Sequence, residues 1–371
     1  MKLSFDTNTS YEVFKSSITQ FENDPELDSI LVFISDKNKI PTEELNKLLK
    51  DLKKKIWGGI FPQLIYNKQN YEEGFLLVGC EEKTDVHIVK NISSPKTDFD
   101  NILDEKFDSS EAFNTLFVFV DGFAKRISAL IDGLFNTIGL EKNVIGGGAG
   151  SLSMKQQPCI ISNEGLLMDA AIFTFLKSHS GIGVSHGWEK LSGPYRVTES
   201  DRNEIISLDW EPAFNVYKQM VEADGKLKFE GDNFFEVAKC YPFGIKKIDA
   251  EDIVRDPISK SENDTLICVG EVPVNSYVDL LSGDPRSLIK SAEIAYKRAM
   301  NNFNGDHLPR AVFVIDCISR VLFLNEKIKD ELQSASNNDI PQIGVLSLGE
   351  VANNSKDYLD FYNKTIVVGI I

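Results

Sequence analysis

Three stretches of the chain consist almost entirely of β-branched, aromatic and other apolar residues, and each has an aspartate at or near its end. They read ILVFISD from Ile30 to Asp36, LFVFVDG from Leu116 to Gly122 and AVFVIDC from Ala311 to Cys317. Continuous apolar runs of this length are typical of strands buried on both faces of a sheet. The pattern predicts three central strands, and the likeness of the first to the third is compatible with a distant internal duplication.

Between these runs, apolar residues recur at helical spacing. One helix is predicted to start near Thr42, and another to run from Ile127 to a glycine cap at Gly139. Two later helices, in EPAFNVYKQMV and DPRSLIKSAEIAYKRAM, carry Pro212 and Pro285 at the predicted first helical position, where the missing N–H is tolerated. The segments EGFLLVGC, DVHIVKNI, EIISLDW and TLICVGEV predict further strands. The predicted fold is α+β, with mixed and antiparallel sheets layered with helices.

The composition is that of a globular protein, with 42% hydrophobic and 26% charged residues. No apolar run approaches the roughly 20 residues that a membrane helix needs, so we predict no membrane insertion. The opening residues, MKLSFDTNTS, lack the apolar core of a secretory signal, which favours a cytoplasmic location. A net charge of −16 without a basic stripe argues against a nucleic-acid partner.

Metal and cofactor chemistry has little support in the sequence. The cysteines are widely spaced without a CxxC pair, and the histidines form no HExxH motif. We therefore predict no metal site and no cofactor. Reduced thiols are expected at the five cysteines, which are Cys80, Cys159, Cys240, Cys268 and Cys317.

The densest glycine cluster is NVIGGGAGS, from Asn143 to Ser151, and it follows a predicted helix and precedes a predicted hairpin. A phosphate-binding loop has the opposite order, because it follows a strand and opens a helix. No Gly-Lys-Ser/Thr follows, and the glycine spacing differs from GxGxxG. The cluster is therefore not predicted to cradle a nucleotide, and a ligand-contacting loop and a glycine hinge remain as alternatives.

A second candidate is GIGVSHGWEKLSGPYRVTES, from Gly181 to Ser200. Its glycines and proline predict an irregular segment, and His186, Trp188 and Arg196 supply aromatic and polar groups. Such a mixture suits a small-molecule site, in which a few polar groups fix orientation against apolar walls. A structural loop anchored by Trp188 is the alternative.

The last third of the chain adds Arg320, Glu350, Asn363 and Thr365 beside predicted strands. A guanidinium and a carboxylate at strand ends can bind a zwitterion, because the first grips a carboxylate and the second accepts from an ammonium group. An internal ion pair is the alternative.

Catalysis is the competing interpretation. No GxSxG elbow is present, but a hydrolase-like enzyme could use Cys317 or Ser151 as nucleophile with His186 as base. A buried thiol that ends a core strand is the structural alternative for Cys317. We predict no catalytic residues and treat the enzyme as the second hypothesis.

Six motifs stand in the order expected of the FIST family, named for F-box and intracellular signal transduction: NVIGGGAGS, VSHGWEKLSGPYRVTES, DWEPAFNVY, DCISRVLFLNE, GVLSLGEV and NKTIVV. The chain resembles this family from about Asp28 to its C-terminus. The resemblance implies a FIST N-terminal module at 28–210 and a FIST C-terminal module at 211–371, divided at the turn between a predicted strand and a predicted helix.

The resemblance implies a cytoplasmic sensory protein that binds a small molecule, with amino acids among the proposed ligands. Family members are often fused to output modules, and this chain contains none, so a separate signalling protein is expected to receive the signal. The family usually has an aromatic-threonine pair before Gly-Glu, where this sequence reads Leu346-Ser347-Leu348. The predicted ligand-binding residues are Gly147, Gly148, Ser151, His186, Trp188, Arg320, Glu350, Asn363 and Thr365. We expect the N-terminal and C-terminal members of this set to converge on one cleft between the modules.

Overall fold

The computed structural model describes residues 1–38, 40–107, 113–247, 252–305, 308–353 and 358–371. Within these ranges, no helix is both long enough and apolar enough to cross a membrane. The architecture mixes helices and strands, and combines three six-stranded sheets with a fourth sheet that closes into a barrel.

The first unit begins with an edge strand and a helix, continues through a strand, a helix and a parallel strand, and ends with a hairpin and a return strand. Its elements are β1 (Lys2–Asp6), α1 (Tyr11–Glu22), β2 (Ser29–Ser35), α2 (Thr42–Asp51), β3 (Lys55–Phe61), β4 (Gln63–Tyr66), β5 (Gln69–Tyr71) and β6 (Phe75–Cys80).

The second unit repeats this order of elements. They are β7 (Asp85–Lys90), α3 (Phe99–Phe107), β8 (Thr115–Asp121), α4 (Ile127–Ile138), β9 (Asn143–Ala149), β10 (Ile160–Ser162), β11 (Gly165–Leu167) and β12 (Ala170–Leu176).

The third unit is interrupted by an insertion after its edge strand, β13 (Gly181–Ser185). The inserted elements are β14 (Glu189–Asp201), β15 (Glu204–Leu208), β16 (Glu211–Pro212), α5 (Ala213–Ala223), α6 (Phe234–Ala238), β17 (Phe243–Ile245), β18 (Ile253–Lys260), β19 (Leu266–Val269) and β20 (Tyr277–Ser282). The unit then resumes with α7 (Pro285–Asn302), β21 (Val312–Cys317), α8 (Ile318–Leu324), a 3-10 turn (Asn325–Lys327), α9 (Ile328–Ser334), β22 (Gln342–Ser347), β23 (Glu350–Asn353), β24 (Asp360–Tyr362) and β25 (Ile366–Ile370).

Each unit forms four strands of one sheet and contributes its hairpin to a neighbouring sheet. The strand orders are β1-β6-β2-β3-β10-β11, β7-β12-β8-β9-β23-β24 and β13-β25-β21-β22-β4-β5. In each sheet the third and fourth strands are parallel, and all other neighbours are antiparallel. The three units therefore form a pseudo-threefold frame, so the expected duplication is in fact a triplication.

One glycine on the second strand of each parallel pair allows the two strands to approach closely. Any Cβ at these positions would overlap a backbone carbonyl oxygen of the partner strand, so only glycine fits without a backbone shift. The three glycines occupy equivalent register positions, which supports the equivalence of the units. The pairs and the Cβ–oxygen distances are Gly58 and Val32 (2.0 Å), Gly146 and Val118 (1.7 Å), and Gly344 and Val314 (1.8 Å).

The three sheets face one another across a shared apolar core, and helices cover their outer faces. Phe33, Phe119 and Ile315, one from each unit, are fully buried in the same cluster. The rings of Phe33 and Phe119 pack edge to face with centroids 5.3 Å apart, a geometry that aromatic pairs prefer. On the outside, α1 and α2 cover the first sheet, α3 and α4 the second, and α7 to α9 the third.

The insertion forms a closed antiparallel barrel. Its strands pair in the ring β14-β20-β17-β18-β19-β15, and β15 pairs back with β14. Tyr217 of α5 is fully buried, and its ring lies beside Phe243 of β17 with centroids 5.2 Å apart. The turn at Trp210 lies within this barrel, so strands on both sides of the predicted module boundary share one sheet.

Most of the predicted elements are confirmed. The three apolar runs form β2, β8 and β21, and every residue of these strands is buried. Gly139 follows α4 with a φ of 69°, as a glycine cap should. Asp284 caps α7 and Pro285 opens it, whereas α5 begins at Ala213, one residue later than predicted.

Two local predictions were wrong. The glycine cluster is not a loop, because it forms β9, where the glycines permit close packing instead of turning the chain. The segment after Gly181 is not irregular, because it contains β13 and most of β14. A Cβ at Gly181 or Gly183 would lie about 2 Å from a carbonyl oxygen of α7, and Pro194 lies where the register between β14 and β20 shifts.

Candidate functional site

A cleft of about 530 Å³ lies between the barrel and the frame. It is lined by the turn after β8, by the turn between β14 and β15, by β18 and β19, and by Cys317, Ser319 and Asn363 of the third unit. Its volume falls within the roughly 300–1,000 Å³ that is usual for small-molecule sites. Because two units and the barrel contribute to it, the site depends on the whole fold.

Two cleft residues carry buried polar atoms without a hydrogen-bond partner. These atoms are Oδ1 of Asp256 and Nδ2 of Asn363, and each residue is 1% exposed. Buried polar groups are nearly always paired, because an unpaired one costs roughly 1–3 kcal/mol. Two residues that line the cleft thus carry one acceptor and one donor whose hydrogen-bonding capacity the protein does not use.

Two adjacent residues of β18 each contact one of two adjacent residues in the turn before β25. Arg255 Nη1 donates to Asn363 Oδ1 at 3.4 Å, and Lys364 Nζ lies 3.2 Å from Asp256 Oδ2. The Ser319 hydroxyl also donates to Asp256 Oδ2, at 2.9 Å. Burial raises the pKa of Asp256, and the contacts with Lys364 and Ser319 oppose that rise. These bonds fix the barrel to the third unit at the edge of the cleft.

Cys317 ends β21 and lines the cleft, and it lies beside the buried Glu350 carboxyl. Glu350 is fully buried, and its oxygens accept the Ser347 hydroxyl at 2.8 Å and the Thr365 N–H at 3.4 Å. Burial raises the pKa of Glu350 to about 8. Burial and the neighbouring Glu350 also raise the pKa of Cys317, and the backbone N–H groups of residues 319 and 364 oppose that rise.

Arg320 is fully buried, and its guanidinium is satisfied within the protein. Nε lies 3.2 Å from Asp316 and 3.0 Å from Glu331, and Nη2 also contacts Glu331. Nη1 donates to the carbonyl oxygens of His186 and Lys364, at 2.5 and 3.1 Å. Every guanidinium nitrogen therefore has an acceptor in the protein, which favours a structural role over the ligand contact predicted for this residue.

His186 and Trp188 support the turn that carries Lys364. His186 Nδ1 accepts the Trp188 backbone N–H at 2.9 Å, and Trp188 Nε1 donates to the Lys364 carbonyl at 3.1 Å. Lys364 Nζ also lies 4.9 Å from the centre of a Trp188 ring. Among the described residues that line the cleft, neither His186 nor Trp188 is found. Their contacts instead hold Lys364, and through it Asp256.

Gly147 and Gly148 pack behind the cleft. Gly147 lies opposite Glu350 in the pairing of β9 with β23, and Gly148 donates its N–H to the Gly349 carbonyl at 2.8 Å. A Cβ at Gly147 would lie 2.9 Å from that same carbonyl oxygen. These glycines therefore let the turn that precedes Glu350 pack directly onto β9.

Ser151 and Thr365 make local hydrogen bonds. Ser151 Oγ accepts the Ser153 N–H at 3.0 Å, and the Thr365 hydroxyl donates to the Asn363 carbonyl at 2.8 Å. Of the nine residues predicted to bind ligand, all of which the structure describes, Asn363 alone lines the cleft. Most of the others meet in the packing around β9, β23 and the turn before β25, and their convergence on one ligand stays a prediction.

The cysteines form no disulfide, and Cys159, Cys268 and Cys317 are buried. Within the described ranges, no group of three or more histidine, cysteine, aspartate or glutamate side chains is arranged to hold a metal ion. His307 lies outside the described residues.

Asp256, Ser319 and Lys364 belong to the site region but are not among the residues predicted from the sequence. A signal was present in β18, which reads IVRDPISK and whose first five residues are buried. Charged residues are almost never fully buried unless they are paired, so Arg255 and Asp256 inside an apolar run point to buried partners. No comparable pattern marks Ser319 or Lys364.

Comparison with known protein families identifies two domains that together cover most of the chain. The FIST N domain matches residues 28–211, and the FIST C domain matches residues 213–353. No curated protein matches the chain. The chain belongs to the FIST family of signal-transduction sensory domains.

Proposed function

We propose that this protein is a sensor for a small polar molecule, which binds in the cleft between the barrel and the frame. The observation that carries the proposal is the pair of buried, unpartnered atoms in that cleft, Asp256 Oδ1 and Asn363 Nδ2. A ligand that donates to the first atom and accepts from the second satisfies both. Each satisfied group removes a penalty of roughly 1–3 kcal/mol, which favours the bound state.

An amino acid suits the charges around the cleft. The carboxyl groups of Asp256 and Glu271 can accept from an ammonium group, and the Asn363 amide with Arg202 and Lys125 can donate to a carboxylate. Burial raises the pKa of Glu271, which lies half-buried at the cleft. Small ligands with an ammonium and a carboxylate are therefore the first class to test.

The position of the cleft supports signalling through a separate protein. A ligand there contacts both the barrel and the frame, so it can change how firmly the two are held together. We propose that a partner protein detects this change, and that the protein acts in the cytoplasm.

A thermal-shift screen against the proteinogenic amino acids and related small metabolites tests the proposal. A ligand at a hundredfold excess over its Kd should stabilise the protein by about 2.7 kcal/mol. Asn363→Ala should remove most of this shift and still fold, because Arg255 keeps the carbonyl oxygens of Val254, Phe361 and Glu271 as acceptors.

Asn353→Ala is the matched control. Asn353 is also 1% exposed with an unpartnered Nδ2, but it lies on β23 and does not line the cleft. This variant should lose stability, because Asn353 Oδ1 no longer accepts the Val144 N–H. It should keep the ligand-induced shift. No shift with any ligand, or equal loss of the shift in both variants, contradicts the proposal.

A further inference from the structure

One connection of the pseudo-threefold frame is longer than its two counterparts. In each unit the second strand of the parallel pair leads into the hairpin. This connection is Pro62 in the first unit and residues 348–349 in the third. In the second unit it comprises residues 150–159, which lie between β9 and β10. The other two units close without these additional residues, so the frame itself does not explain them.

The long connection brings exposed apolar side chains to the cleft. Leu152 and Met154 are 38% and 55% exposed, and both line it. Phe235 of α6, in the barrel, also lines the cleft and is 36% exposed. Single exposed apolar residues are common on protein surfaces, but several at one cleft are typical of a ligand-binding groove. We call Leu152, Met154 and Phe235 the apolar mouth.

The backbone of Met154 adopts a conformation that is unusual for methionine. Its φ is 57°, in the left-handed region that glycine and asparagine adopt most readily. The Met154 N–H donates to the Ser151 carbonyl at 3.2 Å, which closes a tight turn. Local structure at this exposed turn would favour glycine or asparagine. Contact with an apolar ligand group explains the methionine better, because its flexible thioether side chain adapts to many shapes.

Two hydrogen bonds to the frame hold the connection beside the cleft. The Leu152 N–H donates to Asp36 Oδ2 at 3.0 Å, and Gln156 Nε2 donates to Asp121 Oδ2 at 2.7 Å. Asp36 follows β2, and Asp121 ends β8. Because one bond lies before Met154 in the chain and the other after it, both ends of this turn are tied to the frame.

We propose that the ligand of the cleft carries a large apolar group, which packs against the apolar mouth while its polar groups bind Asp256 and Asn363. The inference rests on the proposed function and narrows the ligand to zwitterions such as leucine, methionine and phenylalanine. The two polar residues are each 1% exposed, so the cleft lining changes from buried and polar to open and apolar. Lys125 and Arg202, the proposed partners of the carboxylate, are exposed at the same cleft.

Isothermal titration calorimetry of the full chain with glycine, L-alanine, L-leucine and L-phenylalanine tests the proposal. Each buried methylene group should strengthen binding about fourfold. We therefore expect leucine and phenylalanine to bind at least about tenfold more tightly than alanine. Equal dissociation constants for all four, with binding lost in Asn363→Ala, overturn the apolar subsite and leave the proposed function standing.

Met154→Asn removes apolar surface and introduces a residue that tolerates the left-handed region, so this variant should fold. It should weaken phenylalanine binding about three- to tenfold. Met168→Asn is the matched control, because Met168 is 50% exposed and is not among the described residues that line the cleft. The control should bind phenylalanine as the unaltered protein does. Equal effects of the two substitutions overturn the proposal.

Anilinonaphthalene sulfonate tests the subsite without an amino acid, because this fluorescent probe binds exposed apolar surface. It should bind Met154→Asn more weakly than Met168→Asn. Probe binding that depends on Met154, without binding of any of the four amino acids, refutes the amino acid of the proposed function and supports the apolar subsite. Equal probe binding in both variants, together with no effect of Met154→Asn on any amino acid, overturns the subsite.

Discussion

Lys364 Nζ lies 3.2 Å from Asp256 Oδ2, and both residues are almost completely buried. The pair joins the turn before β25 to strand β18, so it attaches the barrel to the frame beside the cleft. Trp188 and Arg320 hold the same turn through the Lys364 carbonyl. Trp188 and Arg320, which belong to the family motifs, thus stabilise this junction and do not line the cleft.

Breaking this pair should destabilise the protein strongly. In Asp256→Asn, the Lys364 ammonium keeps its charge in a buried site without a carboxylate, which typically costs 3–5 kcal/mol, so we expect about that loss. Urea denaturation measures the loss. Glu293→Gln is the control, because it removes an exposed carboxylate paired with Lys290 and Lys297 and should leave the midpoint unchanged. Equal midpoints for both variants refute the role of the pair.

Arg320→Ala should damage the fold. It leaves Asp316 and Glu331 buried without their guanidinium, and we expect a loss of about 3–5 kcal/mol in the free energy of unfolding. Arg202→Ala removes an exposed arginine at the cleft and should change stability by no more than about 0.5 kcal/mol while weakening ligand binding. An Arg320→Ala variant that folds normally and has lost only binding would restore the ligand contact predicted from the sequence.

Gly146→Ala should destabilise the second parallel pair. The new Cβ would lie 1.7 Å from the Val118 carbonyl oxygen, and backbone cannot move aside cheaply, so we expect a loss of about 1–3 kcal/mol or more. Gly59→Ala is a milder comparison, because its nearest contacts are side-chain atoms of Ala149 and Phe61 at 3.0 Å. Thermal unfolding of the two variants should rank Gly146→Ala as the less stable, and the opposite rank contradicts the packing described for β9.

Glu350 should make stability depend on pH. Its pKa rises from 4.5 in a model compound to about 8 in the fold, so the folded state holds a proton that the unfolded state releases between these values. The unfolding free energy of the unaltered protein should therefore fall relative to that of Glu350→Gln as the pH increases from about 4.5 to 8, by an amount on the order of several kcal/mol. Denaturation series at fixed temperature measure this difference, and a difference that is constant with pH means that Glu350 titrates normally.

The sequence pattern predicts local elements well where burial dominates. The runs that form β2, β8 and β21 are apolar because both faces of each strand are covered. An unbroken apolar run indicates such a strand directly. Glycine was harder to interpret, because the same residue serves turns and close approaches. At Gly146 and Gly183 the reason for glycine is a carbonyl oxygen on another element, which local sequence does not identify.

The site was predicted only in part, because its chemistry depends on contacts between distant segments. Asn363 was identified from its motif, but its neighbour Asp256 lies in the inserted barrel, more than a hundred residues earlier. Cys317 lies beside Ser347, whose hydroxyl bonds to Glu350, because β21 and β22 are parallel neighbours and the turn at Gly349 returns the chain to β9. Topology, which is not encoded in any single motif, brings these groups together.

The most direct test of the proposed ligand site is a crystal structure of the protein soaked with the compound that gives the largest thermal shift. We predict that the ligand lies in the cleft, with a donor about 2.7–3.2 Å from Asp256 Oδ1 and an acceptor at a similar distance from Asn363 Nδ2. A ligand bound elsewhere, or one in the cleft that leaves both of these atoms without a partner, would contradict the central claim.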